Sequence, residues 1–188
     1  MYEYFDRRFK KPALSLAPGE FYATSDDIVI DTVLGSCVSV VIYDPVLKMG
    51  GMNHFMLAET KLENNSQSRF GSERYGMFAM DALIGNVIKY GAKRERLKAK
   101  VFGGSRVLNV INTMNVGEDN IKYAEDYLQA EKIPIVKRDT GGTRARRIYF
   151  CVQNFRVFVR LIKSSPAIDK YSEQVKKRFE TGGDAVLF

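Results

Sequence analysis

The residues of this chain best suited to nucleophilic chemistry are Cys37 and His54, the only histidine in the sequence. A histidine beside a thiol takes up its proton and favours the reactive thiolate. Between the two residues lie an apolar run, VSVVIY, an Asp44-Pro45 turn pair and the start of a returning run. If the chain reverses just after Pro45, Cys37 stands directly opposite His54, with Cβ atoms roughly 4.5–5.5 Å apart. The spacing therefore predicts a thiol–imidazole pair in an antiparallel hairpin.

Spacing alone leaves two alternatives open. A bulge at Gly50-Gly51 would shift the strand register by one residue and turn His54 to the opposite face of the hairpin. The same spacing also fits an ordinary hairpin, in which the cysteine packs in the core and the histidine is hydrogen-bonded without a chemical role.

The residues that precede Cys37 would complete a thiol site. Gly35 and Ser36 form a bend that can present backbone N–H groups beside the sulfur, as an oxyanion hole does. Thr32 is placed to accept a hydrogen bond from the second imidazole nitrogen of His54, which would fix the tautomer of the ring. The sequence thus supplies a nucleophile, a base, a residue that orients the base, and donors for a developing negative charge.

Length and composition favour a single domain spanning 1–188. The chain has 188 residues, of which 45% are hydrophobic, enough for one sizeable core. No apolar run approaches the roughly 20 residues that cross a bilayer, and the charged start, MYEYFDRRFKKP, has no signal-peptide core. Two cysteines make no disulfide framework, and with one histidine they fall short of a zinc site. We expect a cytoplasmic protein with no membrane insertion and no metal.

The formal net charge of +7 comes from 29 Lys and Arg against 22 Asp and Glu. Such a balance is compatible with nucleic acid, an acidic membrane surface or an acidic protein partner, and also with scattered solvated charge. No nucleic-acid recognition motif is present, and the basic clusters are not interleaved with a platform of aromatic side chains. We therefore expect no nucleic-acid binding.

The remaining pattern mixes short strands with helices. Residues 1–19 are predicted to form an N-terminal arm, and the polar segment 58–71 a surface loop that is either a lid over the site or a tolerated insertion. The predicted strands are 20–23, 28–33, 37–43, 51–57, 99–104, 133–138, 147–152 and 155–162, and the predicted helices are 72–90, 118–131 and 166–180, with 106–114 ambiguous. This order indicates an α+β fold with an antiparallel-rich sheet core flanked by helices.

Several segments together resemble one known family. LGSCVSVVIYDP followed by GGMNHFML is similar to the signature of the CheD family of chemoreceptor glutamine deamidases, which act in bacterial and archaeal chemotaxis. RYGMFAMDALI, KVFGGS, NVGEDN and DTGGTRARRIYF extend the resemblance, in the family's order, over roughly residues 20–160. KVFGGS departs slightly, since FGGA is expected where this chain has FGGS.

The resemblance implies a layered α/β sandwich and a specific activity. Glutamines of methyl-accepting chemoreceptors would be converted to glutamates with release of ammonia, through a catalytic set carried over to Cys37, His54 and Thr32. Thr24 is an alternative for the threonine. The resemblance also places the Gly103-Gly104 turn near the substrate. It implies no organic cofactor, and as partners it implies the cytoplasmic helices of chemoreceptors and a CheC-type phosphatase.

A function of a different class is a regulatory binding module that acts on receptors and on a CheC-type phosphatase without chemistry of its own. A pure adaptor would need neither Cys37 nor His54. Activity and binding can therefore be separated by replacing the cysteine.

Overall fold

The computed structural model describes residues 1–57, 66–106 and 116–162, and for 66–75 it describes the backbone alone. These residues form ten strands and two α-helices. The strands are β1 (Tyr2–Asp6), β2 (Lys11–Ser15), β3 (Phe21–Thr24), β4 (Val29–Leu34), β5 (Val38–Asp44), β6 (Met49–Asn53), β7 (Lys98–Gly103), β8 (Ile135–Thr140), β9 (Arg146–Cys151) and β10 (Arg156–Leu161), and the helices are α1 (Ser66–Lys89) and α2 (Val116–Ala130).

The strands build two five-stranded mixed sheets. One has the order β1-β2-β4-β9-β10 and the other the order β3-β6-β5-β7-β8. Each sheet is antiparallel except for one parallel pair, β2 with β4 in the first and β7 with β8 in the second. The α+β architecture and its antiparallel-rich sheets are as predicted.

Two apolar layers hold the sheets and helices together. One layer lies between the two sheets, and its members include Ile30, Val41 and Phe150. The other lies between the second sheet and the helices, and its members include Val40, Leu83 and Leu128. Because β5 is covered on both faces, all seven of its residues are buried, as is typical of a strand inside a sandwich. Both helices pack on the second sheet, so the layers run sheet, sheet, helix.

The structure refines several sequence predictions. The 1–19 segment contributes a β-hairpin, β1 with β2, that joins the first sheet through β4. Helix α1 begins at Ser66, earlier than predicted, so the polar residues 66–71 are helical and not part of a loop. Their sequence has no apolar period, which is why the pattern placed the start of the helix too late. The rest of the proposed lid, segment 107–114 and the predicted C-terminal helix and tail lie outside the described residues.

No helix in the described part of the chain combines the length and the apolar character that a membrane span requires.

Candidate active site

The candidate residues come together where the two sheets face each other. Thr32 lies near the end of β4, in the first sheet. Cys37 ends the bend that leads from β4 into β5, and His54 directly follows β6 in the second sheet. Thr32 and His54 are buried, and Cys37 retains 9% of its surface exposed. The fold therefore gathers the three residues predicted as the catalytic set.

The register of the hairpin differs from the prediction. Val41 pairs with Met52, and Val38 with Phe55. Cys37 therefore stands opposite Met56, and His54 lies diagonally from it on the same face of the hairpin. The direct opposition of Cys37 and His54 is wrong by two residues, but an even shift leaves both side chains on one face.

Two local features explain this register. The turn runs from Asp44 to Met49, which pair with each other, so the reversal is centred one residue later than predicted. Lys48 takes the left-handed conformation, φ 55°, that closes this longer turn. The alternative of a bulge at Gly50-Gly51 does not occur, since both residues pair in sequence with β5. A Cβ on Gly51 would lie 2.5 Å from the Tyr22 carbonyl, so glycine serves close strand packing there.

Thr32 fixes the tautomer of His54. The Thr32 Oγ1 atom lies 2.7 Å from Nδ1 of His54 and donates a hydrogen bond of 2.8 Å to the Leu16 carbonyl. A hydroxyl has one proton, so only Nδ1–H donating to Oγ1 satisfies both contacts. Nε2 is then unprotonated. It is buried and has no hydrogen-bond partner among the described residues, which leaves a free base on the inter-sheet face.

Both reacting groups are electrically neutral in this environment. Burial lowers the pKa of His54 to about 4, against smaller raising effects from the Leu16 carbonyl and Glu20. Burial raises the pKa of the Cys37 thiol to about 12, against a smaller lowering effect from its own backbone N–H. The thiolate expected from the sequence is therefore not the resting form. The arrangement instead suits transfer of the thiol proton to Nε2 during attack.

The bend before Cys37 is held through its carbonyl groups. The N–H of Ser105 donates to the Gly35 carbonyl at 2.8 Å, and the side chain of Asn120 donates to the Ser36 carbonyl at 2.9 Å. These two contacts fix the path of the backbone that leads into Cys37. The roles of Gly35 and Ser36 as oxyanion donors stay predictions.

Gly103 and Gly104 lie against the backbone of Cys37. The Gly104 N–H donates to the Cys37 carbonyl at 2.8 Å. A Cβ on Gly103 would lie 2.2 Å from the same carbonyl oxygen, and Gly103 has φ +104°. Both glycines are buried, so in this structure they pack on the main chain of Cys37. Their contact with substrate stays a prediction.

Sequence reasoning missed the two buried asparagines of the site. Asn53 accepts the Val40 N–H at 2.8 Å through its side chain, and Asn120 contacts both Ser36 and Leu57. Both asparagines have no exposed surface. A signal for Asn120 was present, since it precedes Ala124 and Leu128 at the four-residue spacing of a buried helical stripe. A polar residue on such a stripe needs buried partners.

Cys151, predicted to be an inert core thiol, is buried beside Val29 and Tyr149 on the outer side of the first sheet. In the described part of the chain, no three side chains of His, Cys, Asp or Glu lie close enough together to hold a metal ion.

Comparison with known proteins agrees with the resemblance read from the motifs. A family model described as CheD chemotactic sensory transduction matches residues 56–161. The chain is 45% identical over 98% of its length to "Probable chemoreceptor glutamine deamidase CheD 1" of Shewanella oneidensis, covering 92% of that protein. It is 44% identical over 93% of its length to a "Probable chemoreceptor glutamine deamidase CheD" of Bordetella parapertussis, of which it covers 81%. A protein of the same name from Methylobacillus flagellatus is 45% identical over 85% of the chain, with 79% of that protein covered. The chain therefore belongs to the CheD family.

Proposed function

We propose that this protein is a chemoreceptor glutamine deamidase that works through Cys37, His54 and Thr32. The observation that carries the proposal is the unprotonated Nε2 of His54. Thr32 binds the other ring nitrogen, and Nε2 has no partner among the described residues on the face that His54 shares with Cys37. A purely structural histidine would have both ring nitrogens satisfied. The names of the relatives, which share the chain over most of their length, agree with this activity.

The reaction follows from the protonation states. The Cys37 sulfur attacks the side-chain amide carbon of a glutamine while its proton passes to Nε2 of His54. The imidazolium then gives this proton to the departing amide nitrogen, which leaves as ammonia, and a thioester remains. Water adds to the thioester with Nε2 as base, the thiol is regenerated, and the product is a glutamate.

The surroundings of the pair favour this sequence. Thr32 keeps Nδ1 protonated and accepts its hydrogen bond, so the positive charge that develops on the ring is shared with a fixed dipole. The predicted oxyanion donors, the backbone N–H groups of the Gly35-Ser36 bend, would stabilise the negative charge that develops on the carbonyl oxygen. Donors of this kind are worth about 3–4 kcal/mol each in comparable reactions.

The setting we propose is cytoplasmic, with the whole of 1–188 acting as one domain on the cytoplasmic helices of chemoreceptors. A CheC-type phosphatase is a proposed second partner. Because the net charge is +7, an acidic receptor helix is complementary to the protein at long range.

The test is mass spectrometry of a chemoreceptor cytoplasmic fragment incubated with purified protein. Wild-type protein should add to specific glutamines the mass difference between –NH2 and –OH, with stoichiometric ammonia. Cys37→Ala should abolish the change, and Cys37→Ser should nearly do so, since a hydroxyl is far less acidic than a thiol.

Cys151→Ala is the matched control, because it removes the other buried cysteine and leaves the site untouched. It should deamidate at the wild-type rate. Wild-type activity in Cys37→Ala would refute the assignment. Full signalling in cells by an inactive Cys37 variant would favour the regulatory binding module instead.

A further inference from the structure

The spacing between the cysteine and histidine segments is set by a side chain from helix α2. Asn120 has no exposed surface. Its Nδ2 atom donates to the Ser36 carbonyl at 2.9 Å, and its Oδ1 atom accepts the Leu57 N–H at 2.7 Å. One carboxamide thus links the residue before Cys37 to the segment that follows His54.

The register shows what this carboxamide replaces. Val38 and Phe55 exchange both backbone hydrogen bonds, each 2.9 Å long. In an antiparallel ladder such pairs recur at every second residue, so the next one is Ser36 with Leu57. One of the two bonds expected there runs from the Leu57 N–H to the Ser36 carbonyl. Asn120 is inserted into that bond, since it accepts from the donor and donates to the acceptor.

A carboxamide also interrupts the ladder on the other side of the Val38–Phe55 pair, but it belongs to a residue of β6 itself and donates to helix α1, not to the facing strand. There the Val40 N–H donates to the side chain of Asn53, the residue opposite it in the register. The ladder between β5 and β6 is therefore interrupted by a carboxamide on both sides of a single regular pair. Cys37 lies within one of the two interrupted intervals and His54 within the other.

Helix α2 can reach the ladder because of two glycines. A Cβ on Gly117 would lie 2.5 Å from the Gly104 carbonyl oxygen, so the first turn of the helix packs directly on the backbone that supports Cys37. Asn120, one turn later, then projects between the two strands. Helix α2 therefore packs on the Gly103-Gly104 turn, and this turn packs on the backbone of Cys37.

We propose that Asn120 is a positioning residue, whose carboxamide replaces one ladder hydrogen bond and so sets the separation of Cys37 from His54. The proposal rests on the proposed deamidase function for its rate measurements, and on thiol reactivity for a second, independent measurement. Without the carboxamide, Ser36 and Leu57 pair directly and Cys37 moves with them. A displacement of about 1 Å at a reacting group costs on the order of 100-fold in rate.

The experiment compares Asn120→Ala with Leu128→Ala, a buried residue of the same helix that contacts the core and not the site. Both variants should lower the thermal midpoint. Asn120→Ala should lower kcat by about 10- to 100-fold with KM changed less than about two-fold, since positioning acts on the transition state. Leu128→Ala should keep the wild-type kcat below its midpoint. Equal kcat in wild type and Asn120→Ala, or equal losses in the two variants, would overturn the proposal.

Asn120→Asp sharpens the assignment, because it keeps the acceptor for Leu57 and loses the donor to Ser36. Protonation of the carboxyl restores a donor, so kcat of Asn120→Asp relative to wild type should rise as the pH is lowered. A ratio independent of pH would contradict the role of the Ser36 contact.

Alkylation of Cys37 by iodoacetamide, located by mass spectrometry, tests positioning without a receptor. His54 assists the thiol only when correctly placed, so Asn120→Ala should react at neutral pH as slowly as His54→Asn. Leu128→Ala should react like wild type. If wild-type protein does not deamidate receptors, the proposed function fails. The alkylation rates still test the positioning role of Asn120. Wild-type alkylation by Asn120→Ala would refute the positioning role.

Discussion

The two ends of the β5–β6 hairpin differ in whether their buried polar groups have hydrogen-bond partners. At the turn, the Asp44 carboxylate is fully buried and accepts hydrogen bonds from the Arg96 side chain and from three backbone N–H groups. At the other end, about 20 Å along the strand, Nε2 of His54 and the hydroxyl of Ser39 are buried without a partner in the described part of the chain. His54 and Ser39 occupy opposed positions in the register.

The two groups differ in charge and in how far their hydrogen-bonding capacity is used. Burial raises the pKa of Asp44, but hydrogen bonds from Arg96 and from the turn outweigh it and bring the pKa to about 2. For His54 burial prevails, and the pKa falls to about 4. Asp44 is thus held charged by partners that it uses completely, whereas His54 is held neutral with one lone pair available. An unsatisfied buried atom of this kind needs an explanation, and the base proposed for the deamidation supplies one for His54.

Substitutions at the two ends should have opposite effects on activity and stability. His54→Asn removes the base, so deamidation should fall about 1,000-fold, whereas the free energy of unfolding at pH 7 should change by less than about 1 kcal/mol. Asp44→Ala leaves the Arg96 guanidinium and buried N–H groups without their acceptor and should cost about 3 kcal/mol of stability. Its activity per folded molecule should stay within about two-fold, because the site is distant.

Urea unfolding and a deamidation assay on the same preparations provide both quantities. Loss of stability in His54→Asn comparable to that in Asp44→Ala would indicate a structural histidine and contradict the distinction between the two ends.

Acid should affect the two ends in separate pH ranges. The unfolded chain protonates its histidine near pH 6.5, whereas the folded chain does so near pH 4, so folding loses up to about 3 kcal/mol as the pH falls through this range. The contribution of Asp44 is lost at lower pH, between its ordinary value of 3.8 and about 2. Unfolding curves from pH 7 to pH 4.5 should therefore be steep for wild type and shallow for His54→Asn. The same pH dependence of stability in wild type and in His54→Asn would show that the pKa of His54 is not lowered in the folded protein.

Thr32→Val should have a smaller effect, because it keeps the shape of the side chain and removes only its hydroxyl. Nδ1–H of His54 loses its acceptor, so the fixed tautomer is relaxed and kcat should fall about 10-fold. Thr32→Ser should restore most of the rate, since it supplies the same hydroxyl. Failure of serine to rescue would indicate that the methyl group of Thr32, and not the hydroxyl, is what matters.

The fold was largely predictable because its strands and helix α2 carry clear patterns. The β-branched run of β5, the glycine pair after β7 and the hairpin from β9 to β10 all lie where the sequence placed them. The start of α1 was missed because its first turn is polar and no apolar period begins there. The pairing of the 1–15 region with β4 is a long-range contact, and local patterns do not specify such pairings.

The site was predictable in its residues but not in its geometry. Cys37, His54 and Thr32 were identified from residue type and motif, whereas their register depended on a turn two residues longer than assumed. Asn120 is distant in sequence from Ser36 and Leu57, and only the packing of α2 brings it between them. Single-sequence patterns carry no information about which buried carboxamide enters which ladder.

The most direct test of the account uses the fact that the protein has one histidine. In protein labelled with 15N-histidine, the ring nitrogens give one pair of NMR signals that need no assignment to a position. At pH 7 we expect a neutral ring with the proton on Nδ1 and Nε2 unprotonated, and a loss of this strong preference in Thr32→Val. A ring protonated on Nε2, or on both nitrogens at pH 7, would contradict the free base at the centre of the proposed mechanism.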